Sequence, residues 1–228
     1  MKIGNLLLVA TGLLSICSLP PVSAQPNQAL AASIVGTRQK NAALMKQYSW
    51  SCRMEVIEEG QVKDTRIDTV NFGPDGNLQY TLMNDQGSAL PHGFLRRRLA
   101  EKERERVEKY IKDIRTLLNE YSLPTSGAVS TFLAGATIQA PDANGLLQVT
   151  GGSVVKPGDT LSLWVSAPGG QISRMKVMTT YEGDEVNLSA SYKTLASGLS
   201  YLAYATVTIP ARNLTVQVQN FDYINQNN

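Results

Sequence analysis

Residues 174–193 read RMKVMTTYEGDEVNLSASYK, in which apolar and polar residues alternate. Apolar residues occupy every second position on both sides of the turn signal Glu182-Gly183-Asp184, and these are Met175, Val177, Val186, Leu188, Ala190 and Tyr192. Alternation with a period of two is typical of a strand with one apolar and one polar face. The stretch therefore predicts two antiparallel strands joined by a tight turn.

The same alternation recurs in other parts of the chain. It is present at 161–165, 201–209 and 214–219, and an N-terminal meander is predicted from 48–56, a run ending at Phe72, and 78–82. Turn signals rich in glycine, proline and aspartate separate these runs. The total is about nine or ten strands, which is too many for a flat sheet, so we expect a curved sheet that forms an incomplete barrel.

Helical patterns occupy two longer segments and one short one. Residues 28–46 are rich in alanine, and residues 94–121 carry an apolar stripe at steps of three and four from Val107 to Tyr121. The part at 96–106 lacks this stripe and is expected to project into solvent, and 126–134 is expected to form a short further helix. We predict an α+β fold, a single half-barrel domain over 25–228. In it, the N-terminal helix and a charged amphipathic lid helix cover the sheet.

The N-terminal segment has the features of a secretory signal peptide. Residues 1–24 read MKIGNLLLVATGLLSICSLPPVSA, with Lys2 before an apolar run and small residues at Val22 and Ala24. The apolar run is about 14 residues, shorter than the ~20 that a transmembrane helix needs. We therefore expect cleavage before Gln25, no transmembrane anchor, and a protein located in the periplasm. Lipidation at Cys17 is the alternative.

Charge and cysteine content exclude several classes of protein. The formal net charge of +2 is too balanced for a dedicated nucleic-acid binder. Removal of residues 1–24 would leave Cys52 as the single cysteine, so no internal disulfide is expected. Cys52 lies in a predicted strand and is interpreted as a buried small side chain. We expect a monomer.

Signals for catalysis are poor. The single histidine, His92, lies in a turn-like segment without cysteine or histidine neighbours at metal-ligand spacing. The sequence has no Gly-x-Ser-x-Gly elbow before a helix. It also has no pair of carboxylates in an apolar setting. The sequence therefore predicts a protein that is not an enzyme and that needs no metal and no cofactor.

A hydrophobic site is predicted where the lid helix meets the apolar face of the sheet. The candidate residues lie on the helix stripe and on the sheet face, and they are Ile111, Ile114, Leu118, Met54, Leu163, Val177 and Leu188. These side chains enclose either a cavity or a solid core, and the sequence leaves both open. The cluster Arg96, Arg97 and Arg98 at the start of the helix is a candidate contact for anionic lipid headgroups or an acidic partner.

The order of elements resembles the Lol-type outer-membrane lipoprotein carrier and lipoprotein-sorting superfamily. The runs SLWVSA at 162–167 and RMKV at 174–177 resemble a strand pair of that family. The resemblance implies a half-barrel whose apolar cavity accepts acyl chains of lipids or lipoproteins under a helical lid. The alternative is a non-enzymatic interaction or envelope-sensing module in which helix 94–121 contacts an envelope protein.

Overall fold

The computed structural model describes residues 24–85, 94–123, 125–167 and 169–227. The three helices are α1 (Ala24–Met45), α2 (Phe94–Glu120) and α3 (Ser126–Gly135). The strands are β1 (Tyr48–Glu58), β2 (Gln61–Phe72), β3 (Leu78–Asp85), β4 (Thr137–Ile138), β5 (Leu146–Gly152), β6 (Thr160–Ser166), β7 (Ile172–Tyr181), β8 (Asp184–Thr194), β9 (Ser200–Ile209) and β10 (Leu214–Asn225). A short 3₁₀ helix, Pro210–Arg212, joins the last two strands. The predicted signal peptide, apart from Ala24, and His92 lie outside the described residues.

The ten strands form one open antiparallel sheet in the order β3-β2-β1-β10-β9-β8-β7-β6-β5-β4. The two edge strands, β3 and β4, do not pair with each other, so the barrel is incomplete, as predicted. Register shifts interrupt several pairings, including β1 with β2 and β6 with β7. Such bulges bend strands and increase their twist. The predicted α+β fold with a curved antiparallel sheet is confirmed.

The chain crosses the sheet once between its edges. It leaves β3 at one edge, runs through α2 and α3, and enters β4 at the opposite edge. Because the connection starts and ends at opposite edges, its helices pass over one face of the sheet and cover it.

Two transverse rows of side chains line the covered face, because directly paired residues of adjacent strands point to the same side. One row contains Met54, Val218, Ala205, Ala190, Met175 and Leu163. The next contains Val56, Val216, Val207, Leu188, Val177 and Leu161. The residues on either side of Met175, Arg174 and Lys176, point to the opposite face and are exposed there. The predicted alternation is therefore confirmed.

The helices pack on this face in two separate hydrophobic clusters. The larger cluster joins α1 and α3 to the middle of the sheet, with Ile34, Phe132 and Leu133 buried against Leu161 and Leu163. The smaller cluster joins α2 to the other end of the strands and contains Tyr110, Ile114, Val56, Val186, Ile209 and Leu214. The side chain of Leu118 contacts both clusters. Helix α2 is thus docked on the sheet from Tyr110 onward.

Candidate functional site: a cavity between α1 and the sheet

A cavity of about 470 Å³ lies between α1, the α2–α3 junction and the covered face of the sheet. Its walls are mostly apolar: Leu163, Met175 and Leu202 come from the sheet, and Val129 and Phe132 come from α3. The polar side chains at its boundary come mainly from α1 and from the loops next to β7 and β9. The cavity therefore combines an apolar interior with a polar margin.

Helix α1 supplies one wall of the cavity with a single face. Leu30, Ile34, Arg38, Asn41 and Met45 follow each other at steps of three or four residues, which places them along one side of a helix. Leu30 and Ile34 are buried in the larger cluster. Ile34 and the last three residues line the cavity. The face changes from close packing at its N-terminal half to cavity wall at its C-terminal half.

Hydrogen bonds fix this wall to the rest of the fold. The Asn41 side chain donates to the carbonyl of Ser200 and accepts from its backbone N–H, both at 2.6 Å. The Thr37 hydroxyl donates to Gly169 O at 2.5 Å, and Arg38 Nη1 donates to Leu123 O at 2.6 Å. Helix α1 is therefore attached to β9, to the β6–β7 loop and to the α2–α3 junction.

Gly170 allows the β6–β7 loop to approach α1 closely. Its φ is +61°, in the left-handed region that favours glycine, and a Cβ there would lie 2.5 Å from the backbone nitrogen of Ile34. A larger residue would force the loop and the helix apart. The wall of the cavity depends on this contact.

An aromatic cluster adjoins the cavity at Phe72 and Tyr201. Tyr223 stacks on Trp50 with ring centroids 5.5 Å apart, and it contacts Tyr201 at 4.2 Å. Phe72 packs on Trp50 at 6.2 Å. Burial raises the pKa of Tyr223, and this phenol therefore stays neutral. The cluster links the β1–β2 hairpin to β9 and β10 at one end of the cavity.

A buried polar network supports the wall formed by Tyr121. Its hydroxyl lies 2.7 Å from Asp159 Oδ2 and 2.8 Å from Thr179 Oγ1. The Asp159 carboxylate also accepts the backbone N–H groups of Val154, Val155 and Lys156. Burial is the largest single influence on the Asp159 pKa and raises it. The hydrogen bonds together outweigh burial, so the pKa lies below its usual value.

The seven predicted cavity residues do not surround one space. Leu163 lines the cavity, and Val177 and Leu188 pack in the larger cluster without lining it. Ile111 and Ile114 belong to the smaller cluster, while Leu118 bridges the two. Met54 is half-buried on the covered face, paired with Val218 and Arg66.

The physical reason for this arrangement is the size of the side chains. Under α2, the large side chains Tyr110, Ile114 and Ile209 meet and fill the space. At the cavity, α1 presents the small Ala42 opposite the sheet, and the described side chains do not fill the space between them. The observed cavity is therefore under α1, whereas the sequence predicts it under the lid helix.

The covered face is polar near β2. Asp64, Arg66 and Asp68 share the side of the sheet that carries Val56, Met54 and Cys52. Arg66 Nε donates to Asp68 Oδ2 at 2.7 Å, and Asp68 is buried. Burial is the main cause that raises the pKa of the half-buried Cys52 thiol. This end of the face does not continue the apolar wall.

The remaining predictions concern the arginine cluster at 96–98, metal binding and a transmembrane anchor. Arg98 is exposed, while the side chains of Arg96 and Arg97 lie outside the described part of the structure. Within the described ranges, no group of three or more histidine, cysteine, aspartate or glutamate residues could hold a metal ion. None of the described helices is both long and apolar enough to cross a bilayer.

The contribution of α1 to the cavity was not predicted from the sequence. Arg38 and Asn41 interrupt the apolar stripe that starts at Leu30 and Ile34, and this mixture hides the stripe from a search for hydrophobic periodicity. Polar residues placed at helical spacing within an apolar stripe are the signal that identifies such a wall.

The comparisons with known proteins give distant structural similarity. The chain matches no family model and no curated protein. It is similar to the crystal structure of a DUF1329 family protein from Desulfovibrio piger, with 10% identity, a TM-score of 0.42, and coverage of 87% of this chain and 92% of that one.

A second similar structure is a LolA superfamily protein from Nitrosomonas europaea. The identity is 9%, the TM-score is 0.33, and the match covers 85% of this chain and 92% of that chain. The superfamily that the sequence resembles is thus represented among the similar structures.

Proposed function

We propose that the protein binds a hydrophobic ligand, a lipid or lipoprotein acyl chain, in the cavity between α1 and the sheet. The observation that supports the proposal is the cavity of about 470 Å³ with mostly apolar walls. Small-molecule sites are typically concave, roughly 300–1,000 Å³ in volume, and apolar with a few polar groups that orient the ligand. The cavity has this character.

The attachment of α1 supports binding to a preformed site. Asn41, Thr37 and Arg38 hold the helix in place through hydrogen bonds to groups of the protein itself. A site whose walls are already ordered loses less conformational entropy when the ligand enters. In this proposal α1 is the cover of the site, and α2 is docked beside it.

We further propose that the protein acts in the periplasm, to which the predicted signal peptide directs it. N-terminal sequencing or intact mass of the exported protein tests this step. A mature chain that begins at Gln25 is the expected result. An acylated Cys17 would contradict it and attach the protein to a membrane.

An interaction or envelope-sensing module is the second candidate function. The observation that favours it is the exposed charged surface of α2, which includes Lys102, Glu105, Arg106, Lys109 and Lys112. Native mass spectrometry of protein purified from its own periplasm separates the two candidates. A carrier retains a lipid, whereas an interaction module is isolated without one.

The binding proposal is tested by filling the cavity from the sheet. Met175→Trp places a larger side chain in the cavity wall, and we expect it to reduce displacement of an apolar fluorescent dye by fatty acids. Met178→Trp is the matched control, because Met178 lies on the same strand and is 55% exposed on the opposite face. Equal binding by both variants, or no binding by the unmodified protein, would contradict the proposal.

A further inference from the structure

The charged side chains that line the cavity in the described structure are of one sign. In the described part of the chain its lining includes Arg38 from α1 and Lys46, which directly follows α1, and contains no aspartate or glutamate. The chain as a whole has almost equal numbers of basic and acidic residues, 21 and 19. The cavity margin is therefore positive in a protein that is nearly neutral.

Arg38 is directed towards the cavity. Its side chain is half-buried and donates one hydrogen bond, from Nη1 to the backbone carbonyl of Leu123. Burial raises the pKa of Tyr192, another lining residue, and the nearby Arg38 charge acts against that effect. The guanidinium has five N–H donors, so it can still bind an anion while it holds the carbonyl.

Neither cation is neutralised by the protein in the described part of the chain. The ion pairs there involve neither Arg38 nor Lys46. A partly buried cation beside apolar walls is stabilised by an anionic partner that accepts its hydrogen bonds. An acyl chain in the cavity with a neutral headgroup would leave this positive margin without that partner.

We propose that the ligand is an anionic amphiphile, whose acyl chain occupies the cavity and whose carboxylate or phosphate is bound by Arg38 with help from Lys46. This inference rests on the proposed function, since it assigns the headgroup of the same ligand. The two side chains have different roles. Arg38 supplies directed hydrogen bonds at the wall, and the exposed Lys46 adds positive charge at the margin.

The test compares ligands of equal chain length and different headgroup on the mature full-length protein. Laurate and lauryl phosphate are expected to bind at least about tenfold more tightly than lauryl alcohol, because a hydrogen bond to a charged group is worth more than one to a neutral group. Laurylamine is expected to bind more weakly than the alcohol. A preference between laurate and lauryl phosphate assigns the headgroup as carboxylate or phosphate, and either result supports the proposal.

Variants at Arg38 and Lys46 assign the preference to these two residues. Arg38→Gln should remove most of the advantage of laurate over lauryl alcohol while the alcohol still binds, which shows that the cavity is intact. Arg38→Lys should restore part of the advantage, and Lys46→Gln should reduce it less. Lys40→Gln is the matched control, because Lys40 is exposed on the same helix and does not line the cavity.

The failures of the two proposals are distinguishable. Equal affinity for laurate and lauryl alcohol overturns the anionic headgroup and leaves the hydrophobic site. Binding of acetate or inorganic phosphate as tightly as the amphiphiles overturns it as well, because the site would then recognise a small anion without a chain. Absence of binding by every compound with a lauryl chain contradicts the proposed function itself.

Discussion

At the scale of single residues, the walls of the cavity are held by a few polar side chains that form hydrogen bonds to other groups of the protein. Asn41 joins α1 to β9 through both of its amide atoms, and Asp159 gathers three backbone N–H groups and the Tyr121 hydroxyl. Removal of either side chain leaves the donors and acceptors that it binds without a partner. Such losses cost about 1–3 kcal/mol each.

Asp159 gives the protein a dependence on acid pH. Its folded-state pKa is lower than its unfolded value, so its contribution to stability is present above about pH 4 and is lost as pH falls through the folded pKa. Asp159→Asn should lower the free energy of unfolding at neutral pH by about 1–3 kcal/mol and flatten its decline in acid. Urea unfolding between pH 2 and 7 measures both effects. Asp222→Asn, at an exposed position, should cause neither. An unchanged acid profile in Asp159→Asn would refute the assignment.

Two glycines should respond to the same substitution in opposite directions. Gly36 lies inside α1, where an added Cβ meets no atom within 4 Å, so Gly36→Ala should stabilise the protein by about 0.5–1 kcal/mol. Gly170→Ala should destabilise it, because the Cβ would meet the backbone of α1 and φ is positive. Thermal unfolding of the two variants provides the comparison. Stabilisation by both would show that the loop does not contact α1 as described.

At the scale of elements, the strands were predictable and the roles of the helices were only partly so. The alternation in 174–193 determines β7 and β8 because half of each strand faces the core. By contrast, no local pattern encodes the pairing of β1 with β10, which joins residues far apart in the chain. The position of the cavity was also not predictable, because an empty space depends on how two distant surfaces fit together.

Ile114 belongs to the apolar stripe of α2. Ile114 is 3% exposed in the smaller cluster and does not line the cavity. Ile114→Trp should therefore cost about 1–3 kcal/mol through overpacking and leave the affinity for an acyl probe unchanged. The surface control Lys109→Ala should leave both the stability and the affinity unchanged, since Lys109 is exposed. Loss of probe binding at normal stability would show that the ligand lies under α2.

Local stability should also differ along α2. Arg98, Lys102, Glu105 and Arg106 are exposed, whereas α2 becomes buried from Tyr110 onward. Amide hydrogen exchange should be fast over 96–106 and slow in strands at 161–165 and 186–192. Uniform protection of the whole helix and the strands would contradict a solvent-projecting first half.

At the scale of the whole molecule, the cavity combines distant parts of the chain. Its walls come from α1 near the N-terminus, from α3 in the middle, and from β6, β7 and β9. The first and last strands of the chain, β1 and β10, pair with each other beside the aromatic cluster of Trp50 and Tyr223. The site is therefore complete only in the fully folded protein, and ligand binding should raise the melting temperature of the whole domain.

The methyl groups of methionine can report on where a ligand binds. Met45 and Met175 line the cavity, Met54 lies on the covered face away from it, and Met83 and Met178 are exposed. Protein labelled with ¹³C at its methionine methyls is titrated with laurate and followed by NMR. Binding in the cavity under α1 predicts shift changes and intermolecular nuclear Overhauser effects at Met45 and Met175, with Met83 and Met178 unchanged. Shift changes at Met54 alone, or at none of the five methyls, would contradict ligand binding in the cavity under α1.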